Sequence, residues 1–324
     1  MESILLERSD LLLVFATAVL RGADDEPIST DNLLVGLASA EGTREILDAA
    51  ELTRTVAASV RTHRRAEWAG DDRGGPVDVI ISEGGEPAQF TVAAADALRR
   101  ADRAAREDGR DGCDSRDLLI ALLDDPDNRA AELLRDCGVP VAPLRESLDR
   151  GRPLRVADPV PRELHRVRDM LIGRTRYPRV RFWQNPLLAI VAPARTNLAP
   201  HPLVWQMLET REQARERGRR RPGTDDAMLA LLAMYELARY YPHLYETGDE
   251  KYRGGAALAG AGVTYAALRH AAQATDLGAD PRPLRKIVPH APADTLELLR
   301  LLLADPGSRA NRLLTAAGFA SFRP

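Results

Sequence analysis

The sequence predicts an all-α protein of 324 residues, organised as four related helical repeats in two tandem pairs. Three observations predict it. The first is self-similarity. The run Ser29-Thr30-Asp31-Asn32-Leu33-Leu34-Val35-Gly36-Leu37 is echoed by Asp114-Ser115-Arg116-Asp117-Leu118-Leu119-Ile120-Ala121-Leu122 and by Gly223-Thr224-Asp225-Asp226-Ala227-Met228-Leu229-Ala230-Leu231. A weaker copy is Asp294-Thr295-Leu296-Glu297-Leu298-Leu299-Arg300-Leu301-Leu302. The second is constant spacing: Ser115 to Gly138 is 23 positions, and so is Thr295 to Gly318. The third is the lack of any strand alternation of comparable strength. Val77-Asp78-Val79-Ile80-Ile81 alternates only partly, between Gly74-Gly75 and Gly84-Gly85, and reads as a loop or short isolated strand.

Each echo begins as a helix begins. A Ser or Thr oxygen can take a free N–H of the first turn, acids there suit the positive end of the helix dipole, and an apolar face follows. A break comes next, at Ala40-Glu41-Gly42, Asp125-Pro126-Asp127 and Asp305-Pro306-Gly307. A short second helix follows, clearest in Arg129 to Leu134 and Arg309 to Leu314, and it ends at Gly138 or Gly318, where glycine tolerates a left-handed C′ position. Longer amphipathic helices precede two of the echoes, Thr91 to Glu107 and Pro202 to Arg217. In the first, Ala94, Leu98, Ala101 and Ala105 share one face. Fourth helices are expected at Val141 to Leu148 and Tyr265 to Ala272. Module 1 therefore spans 1–150, as repeats 1–75 and 88–150, and module 2 spans 196–324. Between them, 151–195 is rich in arginine and proline and reads as a linker with one helix, Arg162 to Leu171, and an apolar run, Pro186 to Val191.

Composition removes several kinds of chemistry. The 45 basic and 48 acidic residues leave a formal charge of −3, so no overall surplus points to nucleic acid or a membrane surface as the main partner. Only Lys251 and Lys286 are lysines, the codon signature of a GC-rich bacterial genome. Neither follows a glycine-rich turn, so no phosphate-binding P-loop can be assembled. The six histidines lack metal-ligand spacing, no nucleophile elbow occurs, and the paired acids sit in turns. No catalytic residue, metal or cofactor is expected. Two cysteines, no basic leader and no run of 18 apolar residues give the expectation of a reduced, cytoplasmic protein with no membrane association.

These residues resemble the Clp N-terminal domain, the paired-repeat module at the front of ClpA- and ClpC-type unfoldase ATPases. The likeness rests on Thr224-Asp225-Asp226, Leu33-Leu34-Val35-Gly36-Leu37, Ala130-Ala131-Glu132-Leu133-Leu134 and Val263-Thr264-Tyr265-Ala266-Ala267-Leu268-Arg269. It runs over roughly 250 residues in two tandem modules, through order, spacing and repetition more than through any one motif. The resemblance implies an all-α fold in which each module is a pseudo-two-fold pair of repeats of about four helices. Without ATPase motifs the chain looks like a free-standing copy. The family's motif glutamate, which in ClpC-type modules helps hold a phosphorylated arginine, falls on Asp31, Arg116, Asp225 and Leu296. Only the first and third repeats keep an acid.

Thr30 with Asp31, and Thr224 with Asp225, are therefore the candidate ligand-binding residues, either as small acidic pockets for a guanidinium or as plain helix caps. Tyr240, Tyr241 and Tyr245 form a second candidate, a recognition surface or the cover of a helix edge. The function expected from the resemblance is non-catalytic binding of proteins or peptides in Clp proteolysis. The chain would serve as an adaptor or substrate receptor for Clp components, or as a decoy for ligands of the ClpC N-terminal domain, cyclic-peptide antibiotics included. The alternative is a helical regulator that binds nucleic acid through the arginine-rich linker.

Overall fold

The computed structural model describes residues 26–70, 74–80, 87–152, 154, 158–177, 197–245, 249–288 and 292–324. The chain divides into two compact units, Met1–Ala157 and Asp158–Pro324. No described helix is long and apolar enough to cross a membrane.

Unit 1 holds α1 (Thr30–Leu37), α2 (Glu41–Ala49), α3 (Arg54–Arg64), a two-stranded ribbon of β1 (Val77–Val79) and β2 (Ala88–Phe90), then α4 (Val92–Glu107), α5 (Ser115–Leu123), α6 (Arg129–Asp136) and α7 (Val141–Asp149). The segment read as a loop or isolated strand is thus half of an antiparallel ribbon, Val77 opposite Phe90. A parallel bridge from Ile28 to Phe90 ties the start of repeat 1 to the start of repeat 2. All eight residues of α1 are buried, because it is surrounded by α3, α4, α5 and α6. The two repeats interlock crosswise: α1 lies on α6, and α5 lies on α2. A helix with one apolar stripe cannot bury itself, and each repeat supplies the surface the other lacks.

Unit 2 holds α8 (His165–Leu171), α9 (Pro202–Glu216), α10 (Thr224–Ala238), α11 (Arg253–Gly260), α12 (Tyr265–Ala274), α13 (Leu284–Ile287), α14 (Thr295–Leu303) and α15 (Arg309–Ala316). The central helix α10 contacts α8, α9, α11, α12, α14 and α15, and α11 lies on α14. The boundary differs from the sequence expectation. Val160, Leu164, Val167, Leu171 and Ile172 are buried, and α8 packs on α10, so the chain belongs to unit 2 from Asp158 onward. The run Pro186 to Val191 lies outside the described residues.

Three hydrogen bonds mark the repeats. After the second helix of each, a left-handed residue (Glu51, Gly138, Gly262 or Gly318) precedes an N–H that bonds the carbonyl five positions back. The pairs are Leu52 to Leu47, Val139 to Leu134, Val263 to Leu258 and Phe319 to Leu314, each an apolar pair closing a helix end. In three repeats a polar side chain opening the second helix donates to the last turn of the first. Thr43 bonds the Leu37 carbonyl, Asn128 that of Leu122, and Ser308 that of Leu302. The third bond crosses between repeats. The Thr30 hydroxyl accepts from Ala130 N–H at 3.0 Å, Thr224 from Ala310 at 2.9 Å, and Thr295 from Gly254 at 3.0 Å. Each donor is the second residue of a helix, where no intrahelical acceptor exists. Ser115 occupies the fourth such position, and its hydroxyl is buried without a partner. Its counterpart helix α2 begins early, at Glu41, so the equivalent N–H is already inside that helix.

Candidate functional site

The two predicted Thr-Asp pairs are fully buried: Thr30, Asp31, Thr224 and Asp225 are each 0% exposed. Each threonine caps a helix of the other repeat. Each aspartate does accept a guanidinium, but from the chain itself. Asp31 takes Arg61 at 2.6 Å, with Arg65 at 3.7 Å and the Ser29 hydroxyl at 2.5 Å. Asp225 takes Arg217 at 2.5 Å, Arg219 at 2.8 Å and Arg309 at 2.9 Å. Burial and the neighbouring Asp226 carboxylate push the Asp225 carboxyl up to about 6, against the pull of Arg217 and Arg219. Asp280 completes this corner by accepting from the Thr224 hydroxyl at 2.6 Å and from the Arg309 backbone N–H at 2.8 Å. Of the two readings, acidic pocket or plain cap, the structure has a buried ion-pair network in which Asp225 Oδ1 alone of the carboxylate oxygens lacks a hydrogen-bond partner among the described residues, and an incoming guanidinium would have to replace an arginine already in place. At the other two motif positions, Arg116 donates to the Leu148 carbonyl and Leu296 is half-buried.

The tyrosine surface does not assemble. Tyr241 is 2% exposed, Tyr245 is half-buried with its hydroxyl on the Ala238 carbonyl, and only Tyr240 is open, at 39%. Tyr241, Leu244 and Tyr252 supply core instead, and the Tyr252 hydroxyl bonds the Ala199 carbonyl at 2.7 Å.

Two features escaped sequence reading. One is a buried polar network around Glu209, which is 0% exposed. It accepts from Arg166, from Tyr177 at 2.9 Å and from Gln213 at 2.6 Å, and Trp205 donates to the Tyr177 hydroxyl at 2.9 Å. Burial pushes the Glu209 carboxyl up, against the pull of Arg166. The network clamps the 158–177 segment to α9, a fixing role that offers no open face. The other is a surface groove of about 830 Å³ in unit 2, lined by His201, Pro202, Leu203, Glu250, Lys251, Arg253 and Asp294 among others. It lies where α9, α11 and α14 begin, and its walls mix both charges with apolar surface. No group of acids, histidines and cysteines placed to hold a metal occurs among the described residues. Burial pushes the Cys113 thiol up to about 12 and raises Cys137 as well, the opposite of an activated nucleophile.

The interlocked repeats, with their polar motif residues spent on internal caps and ion pairs, define a helical scaffold whose exterior is left for recognition. Residues 89–155, which hold α4 to α7, match the model of the Clp repeat (R) N-terminal domain. No curated protein matches the sequence. The match over 89–155 supports a general protein-interaction role in Clp systems.

Proposed function

We propose that this protein is a non-catalytic protein- or peptide-binding protein of a Clp proteolysis system. It acts as an adaptor or substrate receptor, or as a decoy that sequesters ligands of the ClpC N-terminal domain, cyclic-peptide antibiotics among them. The Clp repeat over 89–155 carries this reading. The recurrence in unit 2 of the bonds that organise unit 1 supports a second paired-repeat module there. With the motif carboxylates paired inside, the groove where α9, α11 and α14 begin is the surface to which we assign peptide binding.

Isothermal titration with phosphoarginine, an arginine-rich peptide and a ClpC-binding cyclic peptide tests it, alongside pull-down of Clp components. Heat with any of these ligands, or capture of a Clp ATPase, is the expected result. Silence in both removes the reading. Adding the protein to a Clp degradation assay then separates the two roles: an adaptor speeds loss of a substrate, and a decoy restores normal degradation in the presence of the cyclic peptide.

A further inference from the structure

The formal charge of −3 conceals a division at the unit boundary. Residues 1–157 hold 20 Arg and Lys against 31 Asp and Glu, a formal −11. Residues 158–324 hold 25 against 17, a formal +8. Much of the positive charge in unit 2 is spent internally, as at Arg166, Arg217, Arg219 and Arg309. Arg220, Arg221, Arg282, Arg285 and Lys286 differ: all five are exposed, and their side chains make no ion pair or hydrogen bond among the described residues. They lie on two segments that meet. Asp280 accepts from Thr224 N–H at 2.9 Å and from its hydroxyl at 2.6 Å, so the loop before α10 is stapled to the loop before α13. Arg221 stands three residues before Thr224, and Arg282 two after Asp280. The acids beside these cations accept backbone bonds: Asp280 as above, Asp276 from Gly278 N–H, and Asp305, on the loop before α15, from Gly307 N–H.

We propose that this cationic face of unit 2 is a docking surface for an acidic polypeptide segment, rich in Asp and Glu. Four of the five cations are arginines, whose planar forks match carboxylates in pairs. Nucleic acid fits less well. The only exposed large apolar side chain among the described residues is Tyr240, so no aromatic platform for single strands is present. The helix bearing Arg285 and Lys286 has four residues, too short to present a reading face to a duplex groove. The proposal rests on the protein-binding reading for the class of partner, yet the two fail separately, because the Clp ligands above carry no acidic tract.

Fluorescence anisotropy with a labelled Glu/Asp dodecamer and the full chain is the test, run at 50 and 200 mM salt beside a single-stranded and a duplex oligonucleotide. The peptide is expected to bind at low salt and to weaken at high salt. The triple variant Arg220→Gln/Arg221→Gln/Arg282→Gln should weaken it about tenfold. Arg300→Gln, which neutralises an exposed cation on α14, should leave it unchanged. No peptide binding at 50 mM salt, an equal loss with Arg300→Gln, or tighter binding of either oligonucleotide through the same three arginines would each overturn the proposal.

Discussion

Replacing Thr224 by Val keeps the shape of the side chain and removes one hydroxyl. In the native protein that hydroxyl donates to the Asp280 carboxylate at 2.6 Å and accepts from Ala310 N–H at 2.9 Å. A hydrogen bond to a charged group contributes about 1.5–3 kcal/mol, and an orphaned buried N–H costs about 1–3 kcal/mol. Asp280 keeps its bonds from Thr224 N–H and Arg309 N–H, and the new methyl gains some burial, so the net loss is about 2–4 kcal/mol. For a unit of this size that lowers the melting temperature by roughly 5–12 °C. Thr30→Val, which loses the bond from Ala130, should cost unit 1 about 1–2 kcal/mol. Ser115 is the internal control, since its buried hydroxyl has no partner and Ser115→Ala should be neutral or slightly stabilising. Urea unfolding followed by circular dichroism reads all three, with the transition of each unit fitted separately. A neutral Thr224→Val, or a Ser115→Ala as costly as Thr224→Val, would refute the claim that these hydroxyls cap the partner repeat.

Among the described residues Glu51 alone holds a left-handed conformation without being glycine, at φ 60°, so Glu51→Gly should stabilise unit 1 by about 1 kcal/mol in the same experiment. Arg166→Met should cost unit 2 about 3–5 kcal/mol by leaving Glu209 buried without its counter-charge, and adding Glu209→Leu should recover most of the loss. A Cβ on Gly254 would come within 2.2 Å of the Thr295 carbonyl oxygen where α11 meets α14, so Gly254→Ala should lower the unit 2 midpoint by about 3 kcal/mol. With Cys113 buried and its thiol raised to about 12, that thiol should not react with an aromatic disulfide reagent at pH 8 until denaturant is added, and prompt labelling of both cysteines in the native protein would contradict its burial.

Helix starts were legible because capping is local chemistry. Thr91 accepts from Ala94 and Thr264 from Ala267, both within three residues. The ends at Gly138 and Gly318 were legible for the same reason, while the equivalent end at Glu51 was hidden because its residue type does not advertise a positive φ. The four echoes depart from the expected Ser or Thr cap: Asp114 and Asp294 cap α5 and α14, while Ser29 and Gly223 before α1 and α10 make no side-chain cap, because the echo hydroxyls Thr30 and Thr224 serve the other repeat. The candidate site was half legible. The Thr-Asp pairs stand where the repeat pattern put them, yet what they touch comes from far along the chain: Arg61 lies 30 residues from Asp31, and Arg309 lies 84 from Asp225. Nor does residue type distinguish Tyr241, which fills core, from Tyr240, which faces solvent.

The sequence by itself determined the helical class, the four echoes and most helix boundaries, because periodicity, caps and glycine ends act over one or two turns. The tertiary structure alone decided that repeats interlock crosswise and that Asp31 and Asp225 are already paired with the chain's own arginines. It also decided that the unit boundary separates a −11 half from a +8 half. Those outcomes depend on which surfaces meet across tens of residues, and ion pairing and burial follow distance in space and not distance along the chain.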